Sequence, residues 1–179
     1  MDFQSVLSFW FEEIDRAKWW KKDSTFDQAI KERFSDIHQA AIRCELFEWR
    51  ADPRGRLAEI IVLDQFSRNM YRDKPEAFAY DPLALVLAQE AILHKDDDAV
   101  PSYQKFFFYM PYMHSESSKI HAIAVELFSK PGLESNLEYE LKHKAIIDRF
   151  GRYPHRNDIL GRQSSPEEIE FLKQPGSSF

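Results

Sequence analysis

The sequence predicts an all-α protein, and three observations lead there. The 179-residue chain holds only five Gly, one Thr and five Val, and sheets and their turns draw on those residues. Apolar residues recur at steps of three and four. Capping and breaking signals bracket the resulting stretches.

The first helix covers roughly Ser5 to Glu13, with Val6, Phe9 and Trp10 on one face. Trp19-Trp20 and Lys21-Lys22 form a connection. Thr25 then stands as an N-cap, with Gln28 completing a capping box. Phe26, Ile30, Phe34, Ile37, Ala41 and Cys44 make one helical stripe that extends to about Trp49. Asp52-Pro53-Arg54-Gly55 breaks the chain, and a helix follows from Arg56 to Phe66. Arg68 to Pro75 reads as a loop. Asp81-Pro82 starts the next helix, which Lys95-Asp96-Asp97-Asp98 ends. A further helix leads into Met110-Pro111, and another runs from Ser115 to Phe128. The next begins near Asn136 and stops at Gly151, a C-cap residue. Ser165-Pro166-Glu167-Glu168 opens the last, with Ser at the cap, Pro at N1 and Glu at N3. The count is about eight helices with no sheet, in a single domain over residues 1–179.

The net charge of −6 argues against nucleic acid and against an anionic membrane as partners. No apolar run is long enough to cross a bilayer, and the N-terminus lacks a secretory pattern. The one cysteine, Cys44, makes neither a disulfide nor a thiolate cage, and it fits a reducing, cytoplasmic location. Its place on the apolar stripe predicts a buried thiol.

The strongest local bias is an arginine-only window. Arg149, Arg152, Arg156 and Arg162 fall together, and no Lys occurs between Ala145 and Leu172. A choice of guanidinium over ammonium points to bidentate pairing with carboxylate or phosphate. His155 and Asn157 sit in the same window, after Pro154. A second cluster holds Asp64, Gln65, Arg68, Asn69 and Arg72. Asp64 and Arg68 are one helical turn apart and can pair with each other. That pairing leaves Asn69 and Arg72 unexplained. The two clusters share a D-x-F-x-R-x-x-x-R pattern, at Asp64–Arg72 and Asp148–Arg156. The third candidate is His114-Ser115-Glu116. It resembles the start of a zinc deaminase signature, but the required downstream cysteines are absent. His114 and His121 are seven apart and share a face if their helix is continuous. No metal site and no cofactor are predicted.

Several of these segments together resemble the bacterial "domain of unknown function 924" family. They are Ser8–Phe11, Leu63–Arg72, Ala77–Asp81, Phe107–Pro111, His114–Glu116, Arg149–Asn157 and Leu160–Arg162. The resemblance implies a tetratricopeptide-like superhelical array of antiparallel helices. Two positions depart from the family pattern: Ser67 stands where Pro is expected, and His121 where Gln is expected.

Three functional readings follow. The first is a groove lined by Asp64, Arg68, Asn69, Arg72, Arg152, Arg156 and Asn157 that binds an anionic small molecule or peptide group. The second is a hydrolase-type enzyme, with His114, Glu116 and His155 as acid–base groups and arginines stabilising negative charge. In the third, all the clusters are structural braces between helices.

Overall fold

The computed structural model describes residues 2–179, and among them there is helix and no strand. The chain divides into two compact units, Met1–Arg72 with Glu76–Pro111, and Asp73–Pro75 with Tyr112–Phe179.

In the first unit, α1 (Phe3–Ser8) starts on the Asp2 side chain, which accepts from the Gln4 N–H. Its path continues through a wide π-helical turn over Phe9–Glu13. A 3-10 turn, Arg16–Trp20, precedes α2 (Ser24–Ile42). The cap of α2 is Asp23 rather than Thr25, because the Asp23 carboxylate reaches both the Thr25 and Phe26 N–H groups, at 2.9 and 3.1 Å. Gln28 bonds forward to Glu32 instead of closing a capping box. The helix stops at Ile42, well before Trp49, because the chain turns there through Cys44 at φ 58°. That left-handed turn carries Cys44 off the apolar stripe, so the thiol is exposed and not buried.

Helix α3 (Pro53–Ile61) begins earlier than Arg56, since Asp52 caps it and Pro53 needs no N–H in the first turn. Gly55 lies inside this helix for a steric reason. A Cβ there would stand 2.1 Å from the Trp49 carbonyl oxygen. A second π-helical turn, Val62–Phe66, passes directly into α4 (Ser67–Met70). Arg68 and Asn69 are therefore helical, not part of a loop. Helix α5 covers Asp81–Leu93, a 3-10 turn covers Asp96–Ala99, and α6 (Ser102–Met113) runs on past Pro111. The core of this unit is aromatic: Phe34 lies 5.0 Å from Phe9 and 4.9 Å from Phe66, while Trp10 meets Phe66 at 5.5 Å and Phe107 at 5.8 Å. Edge-to-face and tilted rings of this kind add packing energy beyond burial.

In the second unit, α7 (Ser118–Phe128) packs along α8 (Glu134–Phe150). Helix α7 starts after Ser117, so Ser115 is not its cap and His114 precedes it. Gly151 ends α8 at φ 69°, a conformation that favours glycine. The chain then makes a 3-10 turn over Pro154–Arg156 and enters α9 (Pro166–Leu172) through the predicted capping box. Ile146, Ile147 and Tyr153 are buried together, with Phe150 and Phe171 against them. Among the described residues, no helix is long and apolar enough to cross a membrane.

Candidate functional site

The π-helical turn before α4 positions the first cluster. Asp64 is almost fully buried, with Oδ1 3.1 Å from Arg68 Nη1 and Oδ2 accepting from Gln65 at 2.5 Å. Arg68 also makes a bidentate pair with Asp81, at 2.8 and 2.9 Å. The next turn of the same surface presents Asn69 and Arg72 to α2. Both donate to Asp27, Asn69 at 2.8 Å and Arg72 at 2.5 and 2.7 Å. This shared acceptor accounts for the two residues that the Asp64–Arg68 pairing left over. Ser67, the departure from the family's Pro, is buried with its hydroxyl 2.8 Å from His38 Nε2. His38 is itself buried, and desolvation lowers its pKa to about 4.

The second unit carries the arginine window. Arg149 pairs with Glu167 at 2.7 Å near the surface. Arg152 clasps Glu168 with two bonds, at 2.7 and 2.8 Å. That guanidinium, helped by the Ser165 N–H, holds the Glu168 carboxyl down at about 2. Arg162 is bidentate to Glu116, at 2.6 and 2.9 Å, and its Nε donates to Asn157 Oδ1 at 2.9 Å. Asn157 is buried and donates to Ser164. Glu116 further accepts the Tyr153 N–H at 2.7 Å. Burial works to raise the Glu116 pKa, but the Arg162 bonds, the Tyr153 N–H and the charge of Arg156 outweigh it and lower it. Arg156 donates to the His114 carbonyl at 3.1 Å, and its guanidinium stands 4.5 Å over the Tyr153 ring.

The two copies of the D-x-F-x-R-x-x-x-R pattern occupy different environments. Asp64 is buried on Arg68, whereas Asp148 is half-exposed and bonds to Lys144. The first copy stays helical through Arg68, while the second leaves its helix at Gly151.

Tyr153 organises a group that the sequence did not reveal. Its hydroxyl donates to the Met113 carbonyl at 2.5 Å. His121 lies 3.2 Å from that hydroxyl, and its Nε2–H donates to the Ser115 carbonyl at 2.8 Å. Since Nε2 must carry that proton, Nδ1 shares a second one with Glu140 Oε1, 2.6 Å away. Both are fully buried, and the pair is neutral overall whichever partner holds the shared proton. Burial raises the Glu140 pKa, and the His121 bond acts against it. His143 packs edge-on against Tyr153 at 5.8 Å, and its Nδ1–H donates to the Tyr139 carbonyl. Burial above all, with smaller contributions from the charges of His114, His121 and His155, lowers its pKa to about 3. Thus four of the six histidines converge in this unit. Only His114, His121 and His155 had attracted notice in the sequence, since His143 and Glu140 lie in α8 without a local motif. His114 and His121 do not share a helical face, because residues 115–117 interrupt the helix. No cluster of three or more metal-ligating side chains occurs among the described residues.

A separate feature belongs to the first unit. A hollow of about 510 Å³ is lined by Asp15, Ala17, Lys18, Lys21, Lys22, Asp23 and Ser24, around the 3-10 turn and the start of α2. The two acids are committed to backbone: Asp15 accepts from Ala17, and Asp23 from Thr25 and Phe26. The sequence showed these lysines as a connection only. Their grouping arises from the turn that precedes α2.

Comparison with known proteins supports the resemblance. Residues 6–176 match the model of a family described as bacterial protein of unknown function, DUF924. The structure of a protein of unknown function, ATU0120, from Agrobacterium tumefaciens is similar at 38% identity and a TM-score of 0.91, over 96% of each chain. No curated protein matches.

Proposed function

This chain belongs to the bacterial DUF924 family, whose description assigns no activity, and we propose from its geometry that it is a binding module for a small anionic molecule. The carrying observation is the lysine-lined hollow beside α2. Its volume of about 510 Å³ falls within the range of small-molecule sites. Lys18, Lys21 and Lys22 are among its lining residues, and a lysine ammonium is a point charge with several donors for phosphate or carboxylate oxygens. The lining carboxylates, Asp15 and Asp23, direct oxygens to backbone N–H groups, which diminishes their opposition to an anion.

The arginine clusters are already occupied by acids of the same chain. Arg68, Arg72, Arg152 and Arg162 each hold a carboxylate of this chain. An incoming anion would have to displace that carboxylate from its guanidinium. In this reading Asp64, Arg68, Asn69, Arg72, Arg152, Arg156 and Asn157 brace the helices. The tetratricopeptide-like array implied by the family resemblance is the scaffold they stiffen.

The hydrolase alternative has less behind it. Glu116 would have to accept a proton, yet its oxygens receive three N–H donors and its pKa is lowered. A carboxylate held in that way is a poor general base.

Calorimetric titration with pyrophosphate, citrate and an acidic peptide tests the reading. We expect one of the small anions to bind the native chain, binding to weaken as salt screens the lysines, and Lys18→Glu/Lys21→Glu to abolish it. Binding that survives the double charge reversal, or silence across the panel at low salt, overturns it.

A further inference from the structure

The 3-10 turn Arg16–Trp20 runs beside the lysine hollow and sets its side chains in three columns, because residues three apart in such a turn stand one above the other. The column of Arg16 and Trp19 is anchored in the core by its indole. Trp19 stacks on Trp10 at 5.9 Å, meets Phe107 edge-on at 5.0 Å and donates its Nε1–H to the Trp10 carbonyl at 3.1 Å. The other two columns are Ala17 with Trp20, and Lys18 with Lys21. Ala17, Lys18 and Lys21 all line the hollow. Trp20 therefore rises above Ala17 at its edge.

Trp20 is 57% exposed, although tryptophan is on average a highly buried residue. Its ring is held from the core side, by Trp19 at 6.2 Å and 88° and by the buried Phe106 at 5.9 Å and 31°. That backing fixes the indole and leaves its other face to solvent. The charge around it is of one sign: residues 16–22 carry four basic side chains and no acid. Lys18 Nζ stands 5.6 Å over the Phe26 ring, which turns its ammonium toward the first turn of α2. Ser24, the first residue of α2, lines the same hollow, so the positive end of a 19-residue helix opens onto it. The acids of the lining are Asp15 and Asp23, both bonded to backbone N–H groups. A fixed, open aromatic face thus stands at the edge of a compact cationic hollow. A bare anion leaves that face unused. A phosphate carried on a planar base uses both, since bases stack on exposed aromatic side chains whatever their sequence.

We infer that the hollow takes a nucleoside monophosphate, with its phosphate among Lys18, Lys21 and Lys22 and its base on the open face of Trp20. The inference rests on the reading of the hollow as an anion site and adds the ring to it. The volume of about 510 Å³ is in the range of small-ligand sites and receives the phosphate and sugar, while the base lies at the edge.

Calorimetric titration with AMP, ribose phosphate, pyrophosphate and citrate tests it. AMP binds the native chain about tenfold more tightly than ribose phosphate, the gain expected of one stacked base, and quenches its tryptophan fluorescence. Trp20→Ala lowers the AMP affinity about tenfold and leaves ribose phosphate unchanged. Trp20→Phe keeps most of the affinity but loses the quenching, and it serves if the alanine variant fails to fold. Phe47→Ala, at another exposed ring, changes neither ligand. Lys18→Glu/Lys21→Glu removes both. The inference alone is overturned if AMP binds no better than ribose phosphate, if its advantage survives Trp20→Ala, or if the quenching persists in Trp20→Phe. It is also overturned alone if AMP and ribose phosphate are silent where pyrophosphate or citrate binds. Silence of every anion overturns it together with the reading of the hollow.

Discussion

Asp27 receives three hydrogen bonds from two residues that lie more than forty positions away, Asn69 and Arg72. Both of its oxygens are used, and its side chain is 14% exposed. Asp27→Ala therefore leaves a guanidinium and an amide facing a void. We expect a loss of about 2–3 kcal/mol, the scale of hydrogen bonds to a charged, largely buried group. Urea unfolding measures it, and a loss below about 0.5 kcal/mol, typical of an inert surface position, excludes the bracing role. The same residue shows where sequence reasoning stops. A selection of arginine over lysine is visible in one dimension. The acids that answer it are not, because Arg72 reaches back 45 positions to Asp27 and Arg162 reaches back 46 to Glu116. Such pairings exist only after the helices have packed.

At the scale of elements, local chemistry was legible and register was less so. The start of α9 was readable because every contact of a capping box falls within four residues: Ser165 Oγ accepts from the Glu168 N–H, and Glu168 accepts from the Ser165 N–H. Ser165→Ala removes one of these bonds and costs about 1 kcal/mol, measured as a lowered unfolding midpoint in urea. An unchanged midpoint would show that Arg152 alone fixes the end of this helix. The start of α2 was misplaced because Asp23 and Thr25 both satisfy the capping preference, and only the path of the chain before the helix selects Asp23. The helical character of Arg68 was missed for a related reason. Polar residues at the end of an apolar run resemble a loop until Asp27 and Asp81 are present to receive them.

The whole molecule carries a pH dependence written by two histidines, one in each unit. His38 and His143 are kept neutral by burial, with pKa values lowered to about 4 and about 3. Their unfolded counterparts take up a proton near pH 6.5, so the unfolded chain binds more protons below that point. Their contribution is complete above pH 6.5 and declines as the pH falls toward the folded values. The loss is on the order of 3 kcal/mol for His38 and 4–5 kcal/mol for His143 across that window. Thermal unfolding between pH 7 and pH 5 follows the effect: the lowered carboxylates Glu116 and Glu168 titrate further down, and Glu140, raised by burial, acts with the opposite sign and equally in every histidine variant. His38→Gln and His143→Gln should each flatten the slope, and a slope unchanged in the double variant would refute the assignment.

The wide turn at Val62–Phe66 has a further consequence, for which changes of length the chain tolerates. A π turn holds one residue more than an α turn, and each helical residue advances the azimuth by about 100°. Deleting any one residue there would let the segment relax to ordinary winding. The shortened turn would then cover nearly the same angle, so everything beyond it keeps its azimuth, with Arg68 still facing Asp81 and Arg72 facing Asp27. This stretch can therefore lose one residue with both clasps kept, whereas the same deletion in an ordinary α turn would rotate both arginines away from their acids.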